Sequence, residues 1–359
     1  MARTPSRYRD LVTSYEEEMR LFRTPVRRVW FGLLLLLLAV APWAAMALAG
    51  NYLVYLLNLT AIAVIVALGL NLLCGTTGLI SLGHGAFVAV GAYTTAVLTA
   101  RLGLPFWVAL PASAALAGLM GVVVGLPALR LKGLYLALAT LGFQLITEHV
   151  ILRWEGLTGG ASGMAVPRPV LAGLTLDTDA RCWHLTAALA VLLALGLANL
   201  KRSRYGRALA AIRDSDVAAE AVGVDLARYK TLAFGISAAY AGLAGSLLAG
   251  YLGYVGPDHF GILLSIEYLA MILVGGLGSL LGAVLGAVVI TLLPEGVRYL
   301  AGALGDAFPR AAVPDLRSLA VGLLLVLVIV FAPEGLAGRW RRLREYWTTW
   351  PFDRGSTPA

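Results

Sequence analysis

KRSRYGRALAAIRDSDVAAEAVGVDLARYK, residues 201–230, is a polar, basic island between two long apolar blocks. Seven of the chain's 28 Lys and Arg residues fall in it: Lys201, Arg202, Arg204, Arg207, Arg213, Arg228 and Lys230. A positive segment resists translocation, so basic residues gather in the cytoplasmic loops of membrane proteins. The island also reads as helix, because Ala208, Ala210, Ala211, Ala218, Ala219 and Ala221 are strong helix formers. Gly206 and Gly223 offer breaks near each end. Two short helices at the cytoplasmic surface, in the middle of a membrane domain, have the form of a docking element. A solvated connecting loop accounts for the same charges. The flanking chain has to decide between the two.

Those flanks are made of membrane. At 359 residues, with 59% hydrophobic and 13% charged, the chain falls well short of the ~25% charge of a soluble domain. Its apolar residues come in runs near the ~20 needed to cross a bilayer. Ten are read, over 29–50, 52–74, 79–100, 106–128, 133–152, 183–200, 231–252, 263–275, 279–295 and 317–336. The expected fold is an all-α polytopic membrane protein with ten spans and both termini cytoplasmic.

Basic residues test that threading. With the N-terminus inside, cytoplasmic segments hold seven Arg in residues 1–28, then Arg130 and Lys132, the seven of the island, and Arg339, Arg341, Arg342, Arg344 and Arg354. That is 21 of the 28. The net charge of +8 therefore reflects topology and gives no reason to expect nucleic-acid binding. Residues 1–28 form a cytoplasmic segment in which Leu11, Tyr15, Met19 and Phe22 recur at helical spacing, as an interfacial helix would. The membrane-spanning body is expected over 29–336 and a cytoplasmic tail over 337–359. Residues 153–182 and 296–316, rich in Gly and Pro or interrupted by Pro, read as external loops. Cys74 and Cys182 fall on opposite faces of the membrane, so no disulfide joins them.

Two glycine clusters stand out. Residues 75–87, GTTGLISLGHGAF, put Gly75, Gly78, Ser81, Gly83 and His84 at a span boundary. They read either as an unwound segment lining a pathway or as a tight turn with close helix packing. The histidines at 84, 149, 184 and 259 lack ligand spacing, so no metal is expected. In the second cluster, residues 275–286, Gly275, Gly276 and Gly278 precede Gly282 and Gly286 at GxxxG spacing. Helix contact is the plain reading and a gating hinge the sharper one. Segments 81–92 and 279–288 can be laid against each other as a two-fold internal repeat, although Gly/Ala-rich helices resemble one another by composition alone. Glu267 lies inside an apolar span and should face a cavity or a partner. One such acid is too few for a proton relay.

What powers this membrane domain is not in the chain. None of its three lysines, 132, 201 and 230, lies in GxxxxGK[ST], so it has no P-loop. No triad, paired carboxylates or metal constellation is visible. It is expected to be no enzyme, to hold no cofactor and to leave ATP to another subunit.

Four blocks in order resemble the permeases of branched-chain amino acid ABC importers, in particular the LivM-type subunit. They are CGTTGLISLGHGAFVAVGAYTTAVL (74–98), LRLKGLYLALATLGF (129–143), RSRYGRALAAIRDSDVAAEAVGVDLARYKTLAF (202–234) and SIEYLAMILVGGLGSLLGAVLGA (265–287). The leader SYEEEMRLFRTP is similar to that branch rather than to its LivH-type partner. The resemblance implies an inner-membrane subunit that works with two ATPases, a second, LivH-type permease and a periplasmic binding protein. It also implies that Ala218, Ala219 and Gly223 match an EAAxxxG coupling motif, with Val217 where that motif has Glu. Arg213, Asp214 and Glu220 would then meet the ATPase. Urea and short-chain amide importers use similar permeases and stay as the alternative substrate class. An ion-coupled carrier is the alternative from another class.

Overall fold

The computed structural model describes residues 25–171, 174–303 and 313–349. The interfacial helix expected within residues 1–28 falls outside them, as does the end of the C-terminal tail.

Fourteen α-helices are seen among the described residues: α1 (Pro25–Ala49), α2 (Asn51–Leu70), α3 (His84–Ala96), α4 (Phe106–Gly125), α5 (Leu134–Arg153), α6 (Glu155–Thr158), α7 (Asp179–Arg202), α8 (Arg204–Asp214), α9 (Asp216–Ala221), α10 (Leu226–Leu252), α11 (Ile262–Gly275), α12 (Leu280–Ala303), α13 (Val313–Phe331) and α14 (Gly335–Thr349). Eight helical stretches among the described residues are long and apolar enough to cross a membrane, α11 only together with the 3-10 turn from Pro257, or nine if bent α13 and α14 count as one span. The chain is therefore a helical polytopic membrane protein.

Two expected spans differ in detail. The run 79–100 becomes helical only at His84, and α3 is almost wholly buried by its neighbours. Its apolar side chains meet protein rather than lipid, which hydropathy alone does not distinguish. The run 317–336 breaks after Phe331, and the two helices meet at 45°. Pro333 lacks the N–H that a continuing helix needs, and Gly335 takes a left-handed φ of 68°.

The core is built round α2 and α10. In α2, fourteen of the twenty residues are buried, so it has no lipid-facing stripe. Glycine lets α10 approach its neighbours closely: a Cβ on Gly91 would strike the Gly242 backbone, and one on Gly121 would strike Ala238 and Phe234. The GxxxG pair Gly282 and Gly286 likewise lies against the backbone of α11, at Gly275 and Met271. Small residues thus supply the close van der Waals contact that drives association in lipid.

The segments expected to lie outside are not bare loops. β1 (Met164–Ala165) pairs antiparallel with β4 (Tyr254–Val255), and β2 (Val170–Leu171) with β3 (Leu174–Thr175). Cys74 and Cys182 are free and buried.

Candidate functional site

The basic island folds as α8 and α9 followed by the start of α10, and each helix begins on a residue that caps it. Ser203 Oγ accepts from Tyr205 N at 3.2 Å, Ser215 Oγ from Ala218 N at 3.3 Å and Asp225 Oδ1 from Arg228 N at 3.1 Å. Such caps satisfy N–H groups that the helix leaves unpaired. Gly223, at φ 87°, ends α9. Val224 N donates to Ala219 O at 3.0 Å and Gly223 N to Glu220 O at 2.9 Å, the paired bonds of a Schellman stop.

On α9, Ala219 is buried while Ala218 and Glu220 are exposed. Val217 and Val222 are 74% and 78% exposed, which puts two apolar side chains at the tip. A cleft of about 520 Å³ runs beside it between Glu220, Gly223 and Leu129. Asp214 is exposed at the end of α8.

Asp216 fixes this unit to the membrane helices. Its Oδ2 takes Lys132 Nζ and Lys230 Nζ, each at 2.9 Å. Lys230 is almost completely buried, whereas the Lys132 side chain is 68% exposed. Burial pushes the Asp216 carboxyl up, but hydrogen bonds and charge from both lysines outweigh it and hold it below the ordinary aspartate value.

Behind α8 lies the junction of the two glycine clusters. A π-helical turn, Asn71–Thr76, ends α2. Asn71 bridges to the second cluster, with Oδ1 accepting from Gly278 N and Nδ2 donating to Ser279 O, both at 2.8 Å. Gly75 lies so close to Gly278 that a Cβ would strike the Gly278 backbone. Two cations of the island close the junction: Arg213 Nη1 donates to Gly75 O at 2.5 Å, and Lys201 Nζ donates to Gly278 O. Gly276 (φ 111°) and Gly278 (φ 78°) adopt backbone that other residues rarely adopt. A Cβ on Gly276 would come 2.6 Å from Glu334 O, so the break between α13 and α14 joins the same junction. A cleft of about 730 Å³ opens there, lined in part by Arg213, Gly278, Trp340, Arg341 and Arg344.

The other sequence candidates lie elsewhere. Gly78 (φ 77°) sits beside Arg213. Ser81, Gly83 and His84 instead hold α3 in place, with Gly83 pressed against the Thr140 backbone. His84 Nε2 meets Ser237 Oγ at 2.8 Å, Nδ1 meets Ser81 Oγ at 3.0 Å, and Ser237 donates to Gly69 O at 2.6 Å. Ser237 commits its one proton to Gly69, so His84 donates to it from Nε2, while Nδ1 lies against the Ser81 hydroxyl. Both ring nitrogens are thereby satisfied. Glu267 is half-buried on α11, eight residues before Gly275, and lines a separate cavity with residues of α2 and α12.

Sequence reasoning missed Asn71, Lys201, Asp216 and Lys230 as members of this site. The signal was a polar or charged residue at the edge of an apolar run. Among the described residues, no group of three or more His, Cys, Asp or Glu could hold a metal ion.

Comparison with known proteins agrees with this architecture. The family model for the permease component of branched-chain amino acid transport systems matches residues 52–329. The high-affinity branched-chain amino acid transport system permease protein LivM of Escherichia coli K12 is 36% identical over 335 residues, covering 87% of this chain and 75% of that protein. LivM of Salmonella typhimurium matches at the same identity and coverage. A LivH permease of Methanocaldococcus jannaschii is 27% identical, covering 80% of this chain and 92% of that protein. No solved structure matches. The chain belongs to the family of permease components of branched-chain amino acid transport systems, as a multi-pass protein of the inner membrane.

Proposed function

We propose that this permease moves branched-chain amino acids inward together with a LivH-type permease, two ATPase subunits and a periplasmic binding protein. In this reading the chain is no enzyme and holds no cofactor, and ATP acts on the partner subunits. The tip of α9, with Val217, Glu220 and Val222, is the surface that enters an ATPase groove, as an amphipathic helix does. One observation carries the reading. Arg213 and Lys201, at the ends of α8 and α7, hold the carbonyls of Gly75 and Gly278, one from each glycine cluster. A push on α8 and α9 therefore reaches the ends of α2 and α11 directly.

Glycine-rich turns at that point give the helices somewhere to bend, so the same junction serves as the gate of an alternating-access cycle. Co-purification from the native membrane, with mass spectrometry of the bound proteins, tests the assembly. Recovery of two ATPases and a second permease is expected. Recovery of the chain alone, from membranes in which other complexes survive, would overturn it.

A further inference from the structure

A third cavity, of about 500 Å³, lies between α2, α11 and α12, away from the glycine junction. Its size is that of an ordinary small-molecule site, about 300–1,000 Å³. Leu59, Ile62, Met271 and Ile290 make its walls aliphatic, and Glu267 and Thr291 put polar atoms among them. Tyr52 and Glu295 stand at its rim. There Arg298 Nη2 pairs with Glu295 Oε2 at 2.7 Å, and the Arg298 guanidinium lies 4.6 Å over the Tyr52 ring.

Two features of α12 go beyond packing. Thr291 Oγ1 is buried with no hydrogen-bond partner, a costly state for a hydroxyl that can both donate and accept. Pro294 stands inside the same helix and has no N–H to give to the carbonyl four residues earlier, that of Ile290. The unpartnered hydroxyl of Thr291 thus stands on a wall that also bears a carboxylate.

We infer that this cavity is a transient site for an aliphatic α-amino acid on its way through the permease. The ammonium group is recognised by the Glu267 carboxylate. The hydroxyl of Thr291 donates to the substrate carboxylate, and the side chain packs among Leu59, Ile62 and Met271. The cavity deepens the importer reading and rests on it. Two polar anchors in an aliphatic box discriminate by side-chain volume and by the presence of an ammonium group, which is the pattern an aliphatic amino acid needs. Sites of this kind hold their ligand weakly, as a path must if the ligand is to leave again.

The assembled wild-type transporter, co-expressed with its partner subunits in cells lacking other leucine uptake, is the material for the test. Photo-leucine, a diazirine analogue of leucine, is irradiated during transport and the labelled peptides are mapped. Labels on peptides holding Ile62, Met271 or Ile290, competed away by excess leucine, support the site. Labels confined to other parts of a transporting complex overturn it.

A second measurement reads selectivity. Ile290→Phe narrows the box and is expected to lower leucine uptake relative to valine roughly tenfold, the effect of crowding one or two methylenes. Glu267→Gln is expected to raise the KM for leucine at least tenfold, with Glu267→Asp partly restoring it. An unchanged leucine-to-valine ratio in Ile290→Phe, with an unchanged KM in Glu267→Gln, overturns the cavity while leaving the importer reading intact. A wild-type complex that takes up no branched-chain amino acid overturns both.

Discussion

Arg213 Nη1 donates to the carbonyl oxygen of Gly75 across 2.5 Å, tying the end of α8 to the turn that closes α2. The sequence alone suggests that Arg213 faces outward to meet a partner. Its side chain, although exposed, reaches back to the membrane domain, and in the proposed reading the outward contact falls to Glu220 and the exposed Val217 and Val222. Arg213→Ala should therefore leave ATPase association largely intact while lowering uptake per ATP hydrolysed, by roughly tenfold if the bond is worth the ~1.5–3 kcal/mol of a charged hydrogen bond. Uptake and ATP hydrolysis measured in the same proteoliposomes check this. A proportional fall in both would place Arg213 in docking rather than transmission.

Glu220→Ala is the converse case. Glu220 is exposed on α9, and an exposed substitution changes stability by about 0.5 kcal/mol or less. The variant should reach the membrane at wild-type level and keep its thermal unfolding midpoint, yet recover less ATPase in a pull-down. Equal recovery would remove Glu220 from the docking surface.

Asp216 makes an uneven clamp, and its mutants should show it. Removing Asp216 leaves Lys230 buried without its counter-ion, a loss of about 3–5 kcal/mol. Lys132 is mostly exposed, so Lys132→Ala should cost no more than about 1 kcal/mol. Unfolding of the purified complex measures both. The double variant Asp216→Ala with Lys230→Met should regain part of the loss, because no uncompensated charge is then buried.

The same clamp sets a pH dependence with a defined sign. The Asp216 carboxyl is held below its ordinary value of about 3.9. A lowered folded value gives stability that is present above about pH 3.9 and is lost as pH falls through the lower folded value. Hydrogen exchange over residues 216–222 should therefore be flat with respect to this group from pH 5 to 8. Protection should fall only below about pH 4. Loss near pH 6 would mean that the lysine pairs do not hold α9.

How much of this was legible before the structure differs from residue to residue. Alanine content and the basic charge mark 201–230 as helical and membrane-flanking, whereas the caps at Ser203, Ser215 and Asp225 come from the structure. The glycine clusters were visible, but nothing local linked them. Asn71 and Ser279 are separated by 208 residues, and such a contact leaves no period in the sequence. From sequence, His84 reads either as pathway or as packing, and only the positions of Ser81 and Ser237 show both its nitrogens engaged. The run 79–100 looked like any other span because hydropathy does not say whether an apolar helix is buried by protein or by lipid.

Glycine substitutions separate the two parts of the site. Gly223 has a left-handed φ of 87°, but nothing lies within 4 Å of where its Cβ would be. Gly223→Ala should cost only the backbone term, about 1–2 kcal/mol, and Gly223→Asn less, because Asn accepts that conformation. Gly75 is the opposite case. Its Cβ would strike both Asn71 Oδ1 and the backbone of Gly278. Gly75→Ala must therefore push the two clusters apart or displace the Asn71 bridge. Overpacking of this kind costs about 1–3 kcal/mol, close to the other variant in stability. Transport should tell them apart. If the junction relays motion from α8 and α9, Gly75→Ala should lose most uptake while Gly223→Ala at matched expression keeps it. Gly276→Leu should behave like Gly75→Ala, since Glu334 O lies where its Cβ would go. Full uptake by both junction variants would mean that this contact only packs the helices.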